Sequence, residues 1–160
     1  MRDKMNLTSM YDCNNNHEVL RCINCPKDIL EKFVNDEDYV LRSLVARNPN
    51  CSEDLLLKLS KDENDFVLEC VAAHPNCPDE ILREFYAKDD SIRINAAVVS
   101  NAYCPYDIYR DFIRKYDEGF FEENFSEKDN IFIESCIAKS KFCTPFFMNK
   151  FIFDKSDEYL

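Results

Sequence analysis

Apolar residues recur along the chain at helical spacing in pairs of short segments. An acidic link separates the two segments of each pair. Sets of three mark one face of a first helix: Ile29, Leu30 and Phe33; Leu55, Leu56 and Leu59; Ile81, Leu82 and Phe85; Ile108, Tyr109 and Phe112. Sets of three mark a second helix as well: Leu41, Leu44 and Val45; Val67, Cys70 and Val71; Ile94, Ala97 and Val98. Spacings of three and four residues favour amphipathic helices over strands. The pattern therefore predicts pairs of helices.

Each pair begins after a recurring polar phrase. The phrase reads NPNCSEDLL at residues 48–56 and HPNCPDEIL at residues 74–82. Its cysteines stand at positions 25, 51, 77 and 104, which are 26, 26 and 27 residues apart. A fixed period of this size is typical of proteins built from stacked repeats. We therefore expect one repeat domain, 1–160: an N-terminal arm and truncated repeat (1–23), regular repeats (24–49, 50–75 and 76–102), a fourth repeat (103–142) and a C-terminal cap (143–160).

The residues around each phrase indicate how the helices begin. Cys25 is expected at the N-cap and Pro26 at the first helical position, because proline needs no amide donor there. Asp28 would follow in the first turn, where a carboxylate faces the unpaired helical amides. His74 takes the place that Asn48 has one repeat earlier, which favours a turn-capping role over one as a catalytic base. The links begin the second helices, and their carboxylates would form a ridge along one edge: Asp36, Asp38, Asp62, Asp65, Asp89 and Asp90.

The fourth repeat carries an acidic and aromatic insertion at residues 117–129. Its candidate protein-binding residues are Phe120, Phe121, Phe125, Glu122 and Glu123. Exposed aromatic residues are typical interface anchors, so the insertion is one predicted docking surface. The alternative is that these rings fold back onto the end of the repeat array.

Two segments resemble the leucine-rich repeat variant family: VARNPNCS at residues 45–52 and VAAHPNCP at residues 71–78. The resemblance covers roughly residues 19–113, with a weaker echo at 131–151. It implies an all-α fold, a right-handed α-solenoid in which an α-helix alternates with a short or 3₁₀ helix. Since the links are longer than is usual in that family, two ordinary α-helices per repeat, as in HEAT-type repeats, are the alternative.

Composition narrows the expected partners and setting. The net charge is −11 and no cluster of Lys and Arg forms a basic stripe, which argues against nucleic acid as a partner. An acidic balance instead predicts a protein partner with a basic surface. There are nine cysteines, no stretch long enough to span a membrane and no signal-like N-terminus. We therefore expect a cytoplasmic protein with free thiols, and a monomer in preference to an oligomer.

One cluster suggests metal chemistry. Cys13, His17, Cys22 and Cys25 include thiols and an imidazole, which are the ligands that zinc prefers. A protein similar to the resembled family carries an iron–sulfur cluster near its N-terminus. Against a metal site, Cys25 already belongs to the repeated phrase. With one glycine in the chain there is no phosphate-binding loop, and no catalytic set stands out.

The expected function is therefore that of a non-enzymatic, cofactor-free protein-binding repeat module, an adaptor or an inhibitor. A metal- or iron–sulfur-carrying repeat protein that uses the N-terminal cluster is the alternative.

Overall fold

The computed structural model describes residues 16–88, 91–117 and 126–143. Within them the chain is all-helical and contains no strand. The helices are α1 (Asn16–Arg21), α2 (Lys27–Phe33), α3 (Tyr39–Arg47), α4 (Glu53–Leu59), α5 (Asp65–Ala73), α6 (Asp79–Lys88), α7 (Ile92–Ser100), α8 (Tyr106–Asp117) and α9 (Glu127–Lys139). The chain forms two compact units, Met1–Val71 and Ala72–Leu160, and each is described by itself.

Both helices of each described pair are α-helices. The first helices α2 and α4 have seven residues and α6 has ten, while α3, α5 and α7 have nine each. No 3₁₀ helix occurs in the described residues, so the first and the second helices there are ordinary α-helices. Seven residues already provide room for hydrogen bonds between residues four apart, which the α-helix requires.

One central helix organises each unit. In the first unit α3 packs against α1, α2 and α4, and in the second unit α7 packs against α6, α8 and α9. Helix α7 is buried from Ile94 to Val99, and its alanines 96 and 97 let the neighbouring helices approach closely. A helix that is buried on all sides lies between other elements, as α7 does here.

The predicted apolar faces form the cores. In α3, α5 and α7 all nine predicted residues are buried, and in α4, α6 and α8 all nine are buried as well. In α2, Leu30 is fully buried while Ile29 and Phe33 are half-buried. Each buried aliphatic side chain contributes about 1.5–3 kcal/mol relative to an exposed one. The helix periodicity predicted from the sequence is confirmed at these positions.

The same hydrogen-bonded turn recurs along the part of the chain that the structure describes. In five places in the described residues, a cysteine N–H donates to the carbonyl oxygen three residues earlier, over 2.9–3.0 Å: Cys25 to Cys22, Cys51 to Asn48, Cys77 to His74, Cys104 to Asn101 and Cys143 to Ser140. The repeated phrase in the sequence therefore corresponds to one repeated local conformation.

The predicted N-cap was wrong by one residue. Pro26 is the N-cap of α2, with φ −63° and ψ 145°. Its carbonyl oxygen accepts the first helical hydrogen bonds, from the amides of Ile29 and Leu30 at 3.1 and 3.2 Å. The acidic residue of the first turn is correspondingly one position closer to the N-cap than predicted.

Buried asparagine side chains tie two of these turns to main-chain groups 26 to 29 residues earlier. The side-chain amide nitrogen of Asn48 donates to the carbonyl oxygens of Leu20 and Cys22 at 2.7 and 3.0 Å. That of Asn101 donates to the carbonyl oxygens of Ala72 and His74 at 2.7 and 2.8 Å. Both asparagines are 2% exposed. Each amide thus satisfies carbonyl groups at a helix end that have no partner within the helix.

The side-chain oxygens of the same residues close their own turns. Asn48 Oδ1 accepts from the amide of Asn50 at 2.9 Å, and Asn101 Oδ1 accepts from the amide of Tyr103 at 2.8 Å. His74 does the same through Nδ1, which accepts from the amide of Asn76 at 3.0 Å. The predicted turn-capping role of His74 is confirmed by this contact.

Arg42 fastens the first two acidic links together. Its Nε and Nη2 donate to the two carboxylate oxygens of Asp62 at 2.6 and 2.9 Å. Its Nη1 donates to the carbonyl oxygens of Asp36 and Glu37 at 2.7 and 3.1 Å. The Arg42 and Asp62 side chains are only 11% and 6% exposed. One guanidinium therefore holds the link after α2 beside the link after α4.

The pKa of Asp62 reflects two opposing influences. Desolvation by burial is the largest and acts to raise it. The hydrogen bonds from Arg42 and from the amide of Asn64, together with the charge of Arg42, outweigh that effect and bring the pKa below its ordinary value. The folded state consequently favours the ionised carboxylate.

Replacing Asn101 with alanine should destabilise the second unit by roughly 2–4 kcal/mol. The carbonyl oxygen of Ala72 and the amide of Tyr103 lose the hydrogen bonds that Asn101 makes to them, and the carbonyl oxygen of His74 loses one of its two donors. Thermal and urea unfolding would measure the loss. Asn35→Ala is the matched control, since Asn35 is exposed, and a change within about 0.5 kcal/mol is expected there. Equal effects of the two substitutions would contradict the role given to the buried amide.

Asp62→Asn should lower the free energy of unfolding at neutral pH by roughly 2–4 kcal/mol, because Arg42 loses its buried counter-ion. Since the folded pKa of Asp62 is depressed, its contribution is complete above the unfolded value of about 4 and is lost as the pH falls through the folded pKa. Urea unfolding from neutral to acidic pH should therefore show the native protein and the variant converging in acid. Parallel curves would contradict this assignment.

Candidate functional site

The two links that Arg42 joins concentrate negative charge. Their carboxylates, here called the acidic edge, are Asp36, Glu37, Asp38, Asp62, Glu63 and Asp65. Two cations accompany these six carboxylates: Lys61 in the second link and Arg42, which reaches both links from α3. The net charge of this group of residues is therefore −4. Glu37, Asp38, Glu63 and Asp65 are exposed. The structure therefore brings together the carboxylates of the first two links, as the predicted ridge required.

Part of the acidic edge maintains its own conformation. Asp36 Oδ1 accepts from the amide of Asp38 at 2.9 Å, and Asp38 Oδ1 accepts from the amide of Val40 at 2.8 Å, where it caps α3. In the next link Asp62 Oδ1 accepts from the amide of Asn64 at 2.9 Å. These bonds explain why Asp recurs at the start of the second helices. They also fix the backbone that carries the exposed carboxylates.

An exposed aromatic pair stands at the start of the two second helices. Tyr39 is the first residue of α3 and Phe66 is the second residue of α5. Their ring centroids are 6.5 Å apart with an interplanar angle of 88°. The residues are 44% and 42% exposed. Such an edge-to-face contact positions both rings while leaving them in contact with solvent.

Sequence reasoning missed this pair, although a signal was present. Both aromatic residues lie outside the apolar period of their helices, whose buried positions begin at Leu41 and Val67. Both also follow an acidic residue directly, Asp38 and Asp65. An aromatic residue that is out of phase with the core and next to a carboxylate is a candidate for surface contact.

Several predicted site residues lie outside the described residues. They are Phe120, Phe121, Glu122, Glu123 and Phe125 of the insertion, Cys13 of the N-terminal cluster, and Asp89 and Asp90 of the third link. The insertion as a docking surface stays a prediction from the sequence.

The N-terminal cysteines take part in the repeated turn. Cys22 and Cys25 occupy the two ends of its first copy, at the places that Asn48 and Cys51 occupy in the second. The three-residue separation of Cys22 and Cys25 is thus the separation between the acceptor and the donor residue in every copy of the turn. Cys22 is exposed, Cys25 is buried, and His17 is half-buried on α1. Within residues 16–88, 91–117 and 126–143, no three His, Cys, Asp or Glu side chains are grouped to hold one metal ion.

The four repeated cysteines are packed as small apolar residues. Cys25, Cys51, Cys77 and Cys104 are 1–5% exposed, and each thiol lies 3.4–3.8 Å from the carbonyl oxygen of the next residue. Burial raises the pKa of Cys51, Cys77 and Cys104 to about 12, and it raises that of Cys25 as well. These thiols are protonated at neutral pH and are poor nucleophiles. Their prediction as buried hydrophobes is confirmed.

A second surface feature lies between α6 and α8. It is a groove of about 310 Å³ lined by Arg83, Tyr86, Ala87, Asp107, Ile108 and Asp111. Arg83 contacts Asp79 at 2.9 Å and Asp107 at 2.7 Å. The Tyr86 hydroxyl donates to Asp111 at 2.7 Å. Its charged groups already have ionic partners: Arg83 pairs with Asp107, and Asp111 pairs with Arg114 and Lys115. This groove therefore has less to offer a basic partner than the acidic edge.

None of the helices described here combines the length and the apolar character needed to cross a membrane. Comparison of the chain with models of known protein families, with curated proteins and with solved structures found no match.

Alkylation should separate the thiols by their position in the turn. At mildly alkaline pH, Cys22 should react with iodoacetamide while Cys25, Cys51, Cys77 and Cys104 stay unmodified, because burial keeps those four protonated and inaccessible. Peptide mass spectrometry after timed labelling would give the order. Unfolding in urea serves as the control, since all five should then react alike. Labelling of the buried four at the rate of Cys22 in the folded protein would contradict the packing described.

Proposed function

We propose that this protein is a non-enzymatic protein-binding repeat module that acts as an adaptor or an inhibitor for a partner with a basic surface. One observation carries the proposal: Arg42 holds two acidic links side by side, and an exposed aromatic pair stands at their ends. Carboxylates attract a basic partner, and the rings provide apolar area for contact. Together they provide both components of a typical protein interface.

Electrostatics supports a partner of opposite charge. The whole chain carries a net charge of −11, so a basic protein is attracted before contact. At physiological ionic strength this attraction extends over about 8 Å, which makes association sensitive to salt. At contact range, the fixed carboxylates of the acidic edge would orient the partner.

The proposal includes a repeat architecture similar to that of the leucine-rich repeat variant family, a right-handed α-solenoid of about 26-residue units. Its support is the recurrence of one turn at five places in the described residues and the asparagine amides that reach back 26 to 29 residues. Proteins of this kind present an extended surface for contact. The eight described cysteines are free thiols, which supports a reducing, cytoplasmic setting. We place the protein there as a monomer.

The experiment compares two variants of equal charge. Asp38→Asn, Glu63→Gln and Asp65→Asn together remove three charges from the acidic edge, and Asn keeps the capping ability of Asp at position 38. The matched control, Glu31→Gln, Glu53→Gln and Glu80→Gln, removes three exposed charges from the first helices. Immobilised native protein and both variants are exposed to a cell lysate from about 50 mM to about 500 mM NaCl, and retained proteins are identified by mass spectrometry.

Basic proteins should be retained by the native chain and by the control, and released at high salt. The acidic-edge variant should lose them at low salt already. Equal retention by the two variants would show that total charge, and not this surface, governs binding. Retention that does not depend on salt would contradict the electrostatic argument.

A further inference from the structure

The acidic edge has a preferred ligand chemistry. We infer that Tyr39 and Phe66, with the adjacent carboxylates of Asp38 and Asp65, bind an arginine side chain of a partner protein in preference to lysine. This inference rests on the proposed function and specifies which group of the partner is recognised. It is carried by the aromatic pair, by the charge around it and by two arginines of the chain itself.

The second unit contains the same kind of contact within the chain. The guanidinium carbon of Arg93 lies 5.1 Å from the centre of the Phe132 ring, and Arg93 Nη2 lies 3.9 Å from a carboxylate oxygen of Asp129. One arginine is thus placed against a ring and near a carboxylate. This is the arrangement that we assign to the partner's arginine on the first unit.

The positions correspond in the repeat. Phe66 and Arg93 are both the second residue of a second helix, in α5 and α7, and they are 27 residues apart, as Cys77 and Cys104 are. Arg93 and Phe132 are 39 residues apart, as Cys104 and Cys143 are. A single surface position therefore holds Phe, Arg and Phe in successive repeats. In the second unit this position is occupied by a stacked arginine and ring, whereas in the first unit the rings of Phe66 and Tyr39 are exposed.

The acidic edge itself already accepts a guanidinium. Arg42 donates two hydrogen bonds to the carboxylate of Asp62 at 2.6 and 2.9 Å. The planar, forked donor set of arginine fits a carboxylate in this bidentate way, and lysine cannot reproduce it. The exposed carboxylate of Asp65, which directly precedes Phe66, presents the same kind of acceptor to the outside. Asp38, which precedes Tyr39, is exposed as well, although its Oδ1 also caps α3.

A ring alone would not select arginine over lysine. Lys141 lies 4.8 Å from the centre of the Phe142 ring. Lys115 lies 5.3 Å from that of Tyr86 and 3.8 Å from a carboxylate oxygen of Asp111. A lysine thus also contacts a ring and a carboxylate, and selectivity arises because only a guanidinium can stack through its plane while it donates two hydrogen bonds through its edge. The start of α3 and the start of α5 combine both groups. The expected preference for arginine is therefore modest for one side chain and grows with the number of arginines engaged.

The test uses two synthetic peptides of equal charge. Each has about nine residues of glycine and serine with three spaced cations, which are arginine in one peptide and lysine in the other. Isothermal titration at low salt measures their affinity for the native protein. The arginine peptide should bind about three- to tenfold more tightly.

Paired substitutions locate the site. Tyr39→Leu with Phe66→Leu keeps apolar side chains at two exposed positions, so the fold should be retained, which circular dichroism verifies. It should weaken binding of the arginine peptide more than that of the lysine peptide, so that the preference for arginine is lost. Tyr103→Leu, an exposed aromatic position of the other unit (66% exposed), is the control and should leave the preference intact.

The outcomes separate this inference from the proposed function. Equal binding of both peptides, lost when Asp38, Glu63 and Asp65 are neutralised, would overturn the preference for arginine and leave the charge-driven function standing. A preference that survives Tyr39→Leu with Phe66→Leu would overturn the assignment to these rings. If neither peptide binds the native protein, both the inference and the proposed function fail.

Discussion

The structure depends on a buried side-chain amide that hydrogen bonds to main-chain groups on both sides of itself. Asn48 and Asn101 each donate to two carbonyl oxygens that lie 26 to 29 residues earlier and accept from an amide in their own turn. Without the asparagine, the carbonyl oxygens of Leu20 and Ala72 would lose this hydrogen bond without regaining water, and those of Cys22 and His74 would keep only the cysteine amide of their turn. The turn, the helix end and the following cysteine all keep their places through this one contact.

Most of the local structure follows from the sequence alone. Period and residue type place the helices, since Leu41, Leu44 and Val45 and their counterparts leave only one face to bury. The repeated cysteines are explained in the same way, as small side chains in a confined space. The N-cap of α2 is Pro26 and not Cys25. Residue types place such a helix boundary only to within about one or two residues.

The candidate site was harder to predict, because it depends on contacts between residues far apart in the sequence. Nothing local indicates that Arg42 reaches Asp62, 20 residues away, or that Tyr39 and Phe66 meet at 6.5 Å. The acidic links were visible as separate runs of charge. The two links lie side by side only because the chain returns to the same edge after α3 and α4. Arg42 then holds them together by its hydrogen bonds to both.

The choice of main-chain acceptors by the asparagines has an evolutionary consequence. A carbonyl oxygen is the same in every residue, so these hydrogen bonds place no demand on which side chains stand at residues 20, 22, 72 and 74. Those positions can therefore change in evolution without loss of the asparagine contacts.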